Sequence, residues 1–365
     1  MTKAFEEDLA AGIGTRAIHA GQRPEPLAGA IMTPVYLTST YVQEGLGRHK
    51  GYEYARSRNP TREALERNVA ALEGARHGFA FASGTACVDS LMKLFKAGDH
   101  VVCGENVYGG TFRLFDRLLK NFGLEFTYVD SRDPNRIAEA CRKRTVAVLV
   151  ETPTNPLMRL TDLRAAADIA HRADALLIVD NTFATPVLQR PFSHGADIVF
   201  HSTTKYLNGH SDMIGGIAVL NDDALATRLE FVQNAGGAVP GPFDCFLVHR
   251  GLRTLALRVA RHTENGRAVS EWLRDAPGVE DVRWPGFGGM VSFRHPDAVG
   301  IVGRTELFSL AESLGGVESL IEVPQAMTHQ SVEDSDAAVP ADLVRLSCGI
   351  EAAEDLIADL ERALA

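Results

Sequence analysis

The chain has 365 residues, 45 % of them hydrophobic and 23 % charged, and its 37 basic against 47 acidic side chains leave a net charge of −10. This composition excludes disordered, collagen-like and fibrous chains, and the acidic balance disfavours non-specific gripping of a nucleic-acid backbone. Five cysteines without a Cys-x-x-Cys pair and twelve histidines without a His-Glu-x-x-His leave zinc ribbons, dithiol redox motifs and metal catalysis without support, so no metal is expected.

The N-terminus, Met1-Thr2-Lys3-Ala4-Phe5-Glu6-Glu7-Asp8, is acidic where a secretory signal is basic and then apolar. No apolar run approaches the roughly 20 residues that cross a bilayer, so a cytoplasmic, soluble protein without membrane partners is expected. Residues 1–50 carry Pro24, Pro26 and Pro34 without a sustained helical period, which predicts an extended arm. Asn59-Pro60-Thr61 is a helix start signal, and Ala64, Leu65, Val69 and Leu72 follow near the helical period, predicting a helix over 61–73. Short apolar runs at 79–82, 100–103, 125–129, 146–150, 176–179 and 198–201 then alternate with helical patterns at 88–96, 111–122, 134–142 and 163–172. Strands alternating with helices read as crossover units on a mostly parallel sheet, an α/β domain taken over 51–236. The Gly/Pro-rich stretch from Gly236 to Pro242 marks a boundary. After it, a long helical pattern over 244–276, a strand at 290–293 and further helices predict a smaller α+β domain over 237–365.

Parallel sheets place their sites at the carboxyl ends of strands, which directs attention to the residues after each run. Ile198-Val199-Phe200-His201 leads into Ser202-Thr203-Thr204-Lys205. A lysine there is costly to bury as a cation, so its pKa falls or its amine is used covalently, the alternative being a lysine that opens a helix into solvent. Leu176-Leu177-Ile178-Val179 leads into Asp180, a carboxylate placed either to pair with a cationic ring nitrogen or to cap a helix. Together the two strand ends supply what holds pyridoxal phosphate by its ring nitrogen and aldehyde carbon. Phe79-Ala80-Phe81-Ala82-Ser83-Gly84-Thr85-Ala86 offers a phosphate cradle at a helix start, although many strand-to-helix turns carry glycine for steric reasons alone. No Gly-x-Gly-x-x-Gly or Walker lysine pattern accompanies it, which disfavours dinucleotides and nucleoside triphosphates.

From about Thr15 to the C-terminus the chain resembles one family, the pyridoxal-phosphate enzymes of cysteine and methionine metabolism, the trans-sulfuration group. The resemblance is carried by Tyr52-Glu53-Tyr54-Ala55-Arg56, Asn59-Pro60-Thr61, Ser83-Gly84-Thr85-Ala86, Val107-Tyr108-Gly109-Gly110-Thr111 and Glu151-Thr152-Pro153-Thr154-Asn155-Pro156. It continues through Val179-Asp180-Asn181-Thr182-Phe183, Ser202-Thr203-Thr204-Lys205-Tyr206, Gly209-His210-Ser211-Asp212, Gly315-Gly316-Val317-Glu318-Ser319, Met327-Thr328-His329 and Arg345-Leu346-Ser347. It implies a fold-type I, aspartate-aminotransferase-like α/β subunit in a homotetramer of two dimers, with active sites shared across the dimer interface. By position, Lys205 would hold pyridoxal 5'-phosphate covalently and Asp180 would pair with its ring nitrogen. Gly84, Thr85, Ser202 and Thr204 would hold the phosphate, joined by Tyr54 and Arg56 of a neighbouring subunit, and Tyr108 would stack on the ring. Asn155 and Arg345, helped by Ser319, would bind the substrate α-carboxylate, for which a guanidinium fork is suited.

Within the family, Glu53, Arg113 and Glu318 fall where the resemblance places determinants for the distal amino acid group of cystathionine. Methionine γ-lyases carry a cysteine where this chain has Gly110. Methionine is thereby disfavoured, while cystathionine γ-lyase and cystathionine γ-synthase share these residues; the pattern around Phe243 to Leu255 and Glu322 to Val332 resembles the lyase branch more, so a cystathionine γ-lyase is expected, with cystathionine γ-synthase as the alternative and a methionine γ-lyase or a catalytically impaired scaffold further off. Two departures stand out: Trp284-Pro285-Gly286 runs directly into Phe287-Gly288-Gly289-Met290, and the helix expected between Phe293 and Leu307 is short. Position 85 is Thr where many relatives have an apolar residue.

Overall fold

In the computed structural model, which describes residues 11–329 and 338–365, the arm includes a short helix, α1 (Ile13–His19), where the sequence shows no helical period. A helix of that length is marginal alone and is held by its neighbour. Buried Arg16 donates to the Ala71 carbonyl at 3.0 Å, and the Asn68 amide donates to the carbonyls of Arg16 at 3.1 Å and Ala20 at 2.6 Å. The chain then runs without regular structure to α2 (Pro60–Glu73). Asn59 caps α2 by accepting from the amides of Thr61 and Arg62, and Gly74 ends it at φ 80°, where a side chain would be strained.

The crossover units follow as β1 (His77–Phe81), α3 (Gly84–Met92), β2 (His100–Gly104), α4 (Gly109–Arg117), β3 (Glu125–Val129), α5 (Pro134–Ala140) and β4 (Thr145–Glu151). They continue with α6 (Leu163–Arg172), β5 (Leu176–Asp180), α7 (Thr185–Leu188), β6 (Ile198–Ser202), β7 (Gly216–Leu220) and α8 (Asp223–Gly236). The seven strands form one sheet in the order β1-β7-β6-β5-β4-β2-β3. The five strands from β6 to β3 run parallel, and β7 pairs antiparallel with both β6 and β1. The sheet is thus mostly parallel and flanked by helices, with successive residues of a strand facing opposite layers. Val179 and Val199 pack with Leu65, Val69 and Leu72 of α2, while Ile178, Ile198 and Phe200 pack with Val88 and Leu91 of α3 on the other face.

Three expectations shift. The helix expected over 88–96 begins at Gly84, because the Ser83 hydroxyl caps it from the amide of Ala86 at 2.9 Å. The pattern over 111–122 divides into α4 and a separate 3-10 turn, Leu119–Phe122. The pattern over 244–276 is two helices, α9 (Pro242–Leu252) and α10 (Leu255–Leu273). They part because the Gly251 carbonyl is taken by the Thr254 amide at 3.2 Å and by Arg258 Nη2 at 2.8 Å.

The remaining elements are β8 (Glu280–Arg283), β9 (Met290–Arg294), α11 (Ala298–Arg304), β10 (Ser309–Leu310), β11 (Leu320–Glu322), β12 (Leu343–Ser347) and α12 (Ala353–Leu364). Their five strands form a second sheet in the order β10-β11-β12-β9-β8, covered by α10 and α12 through Val269, Leu273, Leu356 and Leu360. The shortened passage after Trp284 closes as a bonded turn: Trp284 Nε1 donates to the Gly288 carbonyl at 2.9 Å, and the Gly288 amide donates to Thr263 Oγ1 at 3.0 Å.

Candidate active site

The carboxyl ends of β4, β5 and β6, the start of α3 and the near edge of the second sheet enclose a cavity of about 240 Å³. Its walls include Gly84, Thr85, Tyr108, Asn155, Asp180, Ser202, Thr204, Lys205 and Arg345, residues gathered from opposite ends of the chain. A larger cleft of about 430 Å³ lies against α2, β1 and α8, but its arginines pair with the carboxylates of Glu63, Glu66 and Asp223. Arg58 Nε is 2.6 Å from Glu63 Oε1, and Arg76 Nη2 is 3.4 Å from Asp223 Oδ1.

Lys205 follows β6, and its Nζ donates to Ser313 Oγ at 2.8 Å. Burial, reinforced by the Arg345 cation, pulls its ammonium down to about 8. Asp180 ends β5 and accepts at Oδ1 from the Thr182 amide at 3.0 Å and the Thr182 hydroxyl at 2.5 Å. Burial raises its pKa, and those two bonds and the His201 ring oppose the rise. Glu151, the last residue of β4, accepts the Tyr108 amide at 2.7 Å on one oxygen and the Asn155 amide at 2.9 Å on the other. One carboxylate thereby fixes both loops, and burial beside Asp180 drives its own pKa well up. Tyr108 is the residue before α4 and is 41 % exposed, and a Cβ on Gly110 would sit 2.3 Å from the Tyr108 ring.

Arg345 on β12 is 2 % exposed and lies opposite Glu322 of β11 in the antiparallel register. Its Nη1 is 2.9 Å from Glu322 Oε1 and donates to Asn155 Oδ1 at 3.0 Å, and its Nη2 donates to the Ser313 carbonyl at 2.7 Å. Thr328 and His329 back this group, the hydroxyl donating to Glu322 Oε1 at 2.7 Å and His329 Nε2 to the Asn155 carbonyl at 3.1 Å.

Six sequence-picked residues lie outside the cavity walls. Glu53 is exposed and pairs with His49 at 3.1 Å, and Arg113 is an exposed position on α4. Tyr54 is exposed on the arm side of α2, and Arg56 donates to Asn234 Oδ1 at 3.3 Å. Glu318 accepts from Ser211 Oγ at 3.1 Å. Ser319 is fully buried, its amide and hydroxyl donating to Glu351 at 2.7 and 2.8 Å. The walls instead hold Glu312 and Ser313, together with Glu151, Thr182 and Thr328. The dipeptide Glu-Ser occurs at both 312–313 and 318–319, six residues apart, and spacing alone does not choose between them. Glu151, Thr182 and Thr328 fall within the motifs Glu151–Pro156, Val179–Phe183 and Met327–His329, whereas Glu312 and Ser313 fall within none of them.

These residues fit pyridoxal phosphate. The first amides of a helix have no partner within it, and Gly84 and Thr85 open α3 on the cavity wall, a place suited to a phosphate. A Cβ on Gly84 would come within 3.1 Å of Ser202, so glycine keeps that cradle open. A buried carboxylate and an amine of depressed pKa stand at the ends of adjacent strands for the ring nitrogen and the aldehyde. Among the described residues no group of His, Cys, Asp and Glu could hold a metal ion, and no helix is long and apolar enough to cross a membrane.

The model of the Cys/Met metabolism PLP-dependent enzyme family matches residues 14–365. The chain is 49 % identical to a cystathionine β-lyase of Coxiella burnetii, over 96 % of this chain and 97 % of that one. It is 49 % identical to a cystathionine γ-synthase of Mycobacterium tuberculosis, over 97 % of each. A solved structure of cystathionine γ-lyase from Lactobacillus plantarum, complexed with L-serine, superposes with a TM-score of 0.94 at 42 % identity, covering 97 % of this chain and 98 % of that one.

Proposed function

The chain belongs to the Cys/Met metabolism PLP-dependent enzyme family, whose cofactor is pyridoxal phosphate, and within it we propose a cystathionine γ-lyase. The reaction takes L-cystathionine and water to L-cysteine, 2-oxobutyrate and ammonia. The observation that carries cystathionine as the substrate is the pair of opposite charges on one cavity, the Arg345 guanidinium at depth and the exposed Glu312 carboxylate on the wall; the choice of the γ-bond rests on the sequence resemblance. Arg345 with Asn155 takes the substrate α-carboxylate, and Glu312 takes the distal ammonium that cystathionine has and methionine lacks.

In this reading Lys205 carries the cofactor, with Asp180 at its ring nitrogen, Tyr108 over its ring, and Gly84, Thr85, Ser202 and Thr204 at its phosphate. Bound there, the cofactor supplies the electron sink that makes the substrate Cα proton removable. The Lys205 amine takes that proton at Nζ, and a pKa near pH 8 keeps a useful fraction neutral for the task. Ser313 Oγ, 2.8 Å from Nζ, fixes where the amine waits.

The same reading makes the active unit a cytoplasmic homotetramer of two dimers, with Tyr54 and Arg56 reaching a neighbour's phosphate. It is supported by the apolar side chains left exposed along the arm, among them Leu27, Ile31, Leu37, Val42 and Leu46. Light scattering on a sizing column reads the oligomer directly.

A second reading, γ-replacement of an O-acylhomoserine by cysteine, draws on the 49 % identity to the mycobacterial γ-synthase. Both readings are tested by giving the holoenzyme L-cystathionine and identifying the products by mass spectrometry. Cysteine with 2-oxobutyrate supports the γ-lyase, whereas homocysteine with pyruvate replaces it by β-cleavage. Intact cystathionine, followed by its synthesis from an O-acylhomoserine and cysteine, moves the assignment to the synthase.

A further inference from the structure

Behind the site, on the α2 face of the large sheet, lies a buried carboxylate that the proposed chemistry does not use. Glu73 is the last residue of α2, and its side chain and that of His201 are both fully sealed from water. Glu73 Oε1 accepts from Asn181 Nδ2 at 2.7 Å and lies 2.7 Å from His201 Nε2. Among the described residues its other oxygen has no partner, nor does His201 Nδ1, so the grip on these two side chains passes through one oxygen atom.

The two residues it holds are chain neighbours of two cavity residues. Asn181 follows Asp180, and His201 precedes Ser202. Because successive residues of a strand face opposite layers, fixing His201 below the sheet fixes the direction of Ser202 above it. The strand ends are cross-linked on the way: the Asn181 amide donates to the Phe200 carbonyl at 3.0 Å, and the Ser202 amide to Thr182 Oγ1 at 2.9 Å. The network extends to the end of β4, since Gln189 Nε2 donates to Asn181 Oδ1 at 2.9 Å and to the Thr152 carbonyl at 3.0 Å.

We propose that Glu73 is a positioning residue that holds Asp180 and Ser202 in register for the cofactor, by gripping Asn181 and His201 from the far face of the sheet. The inference rests on the reading that Asp180 meets the ring nitrogen and Ser202 the phosphate. It makes the acceptor oxygen, not the charge, the working part. A glutamine carbonyl accepts the same two donors, and its NH2 takes the place of an oxygen that has no partner. A methionine fills the same volume and accepts neither.

The test compares Glu73→Gln and Glu73→Met with the wild-type protein by titrating pyridoxal phosphate into the apo-protein under its visible absorption, then measuring kcat and KM for L-cystathionine on the loaded enzyme. Two lost acceptor bonds predict that Glu73→Met weakens cofactor binding about tenfold and lowers kcat by a similar factor, with KM within about twofold. Glu73→Gln stays within about threefold of wild type in each quantity. Unchanged cofactor affinity and kcat in Glu73→Met, with only a lower melting temperature, overturns the proposal, as does a Glu73→Gln that is as impaired as Glu73→Met. Should Glu73→Met fail to accumulate, His201→Leu removes one donor to Glu73 and is expected to weaken cofactor binding about threefold, no change overturning the clamp. Asp180→Asn is the control on the underlying reading. If it leaves cofactor affinity intact, the assignment of Asp180 falls and the clamp with it, whereas a weakened Asp180→Asn beside an unaffected Glu73→Met sinks the clamp alone.

Discussion

Arg345 and Glu322 face each other across two antiparallel strands, Nη1 to Oε1 at 2.9 Å, with both side chains buried. An unpaired guanidinium at that depth is strongly disfavoured, so the carboxylate is what allows Arg345 to stand in the cavity wall as a cation. Removing one partner of a buried pair leaves the other uncompensated, and Glu322→Leu is expected to lower stability by about 3–5 kcal/mol. Arg345 also leans on Asn155 and Ser313, so the substrate KM rises as the fork loses its orientation. Urea unfolding and steady-state kinetics check the two effects; a Glu322→Leu protein as stable as wild type with the same KM contradicts this account.

Lys205 sets a pH dependence whose direction follows from its depressed pKa. Burial first, then Arg345, brings its ammonium from 10.5 to about 8. At pH 8 roughly half of the amine is neutral and nucleophilic, against about 0.3 % for a lysine at its ordinary value. The rate at which the apo-protein takes up pyridoxal phosphate should therefore climb through pH 7 to 8 and level off above it. The unfolded chain keeps this proton up to about 10.5, whereas the folded chain keeps it only to about 8, so the unfolded state binds more protons between these values. This group consequently makes the apo-protein more stable as pH rises through that window. An uptake rate still rising steeply at pH 10 would place the pKa near its ordinary value.

Asp359 of α12 anchors the segment that leads to the cavity wall. It is 1 % exposed and accepts the amides of Glu306 at 2.8 Å and of Leu307 and Phe308 at 2.9 Å, just ahead of β10 and Glu312. Asp359→Ala strands three amides at once, each costing about 1–3 kcal/mol when left unpaired and buried, and about 4 kcal/mol of destabilisation is expected after water reaches some of them. Asp359→Asn retains acceptor capacity and should lose less than half of that. Equal unfolding midpoints for the two variants would contradict the capping role.

The crossover pattern was legible because each strand is a short apolar run closed by a breaker and followed by a helical period. β7 escaped for the same reason: no helix lies between β6 and β7, so the alternation that marks its neighbours is missing there. α1 escaped because its hold comes from Asn68 and Ala71 of α2, which no local period records. At the site, the rule that function gathers at strand ends reached Asp180, Lys205 and Gly84, whereas Asn155 and Arg345 came only with the family resemblance. The rule did not reach Glu322 or Glu73, whose meaning lies in cross-strand and cross-sheet partners.

The sharpest discrimination the structure offers over the sequence is between two identical dipeptides. Glu312 lines the cavity beside Ser313, which binds both Lys205 and Arg345, whereas Glu318 lies outside its walls, held by Ser211. A carboxylate facing a distal ammonium at a partly exposed site is worth on the order of 1–2 kcal/mol, about a tenfold effect on binding. Glu312→Ala is therefore expected to raise KM for L-cystathionine about tenfold while leaving cofactor affinity unchanged. Its preference should shift toward γ-substituted amino acids with an uncharged tail, because the lost contact served only the charged end. Glu318→Ala should leave KM within about twofold, since its hydroxyl partner is on the surface side of the loop and its loss exposes nothing in the cavity. Kinetics of the two variants on cystathionine and on an uncharged analogue measure this directly. If Glu318→Ala rather than Glu312→Ala raises KM, the distal group is recognised from outside this cavity, and the charge pairing behind cystathionine as the substrate fails.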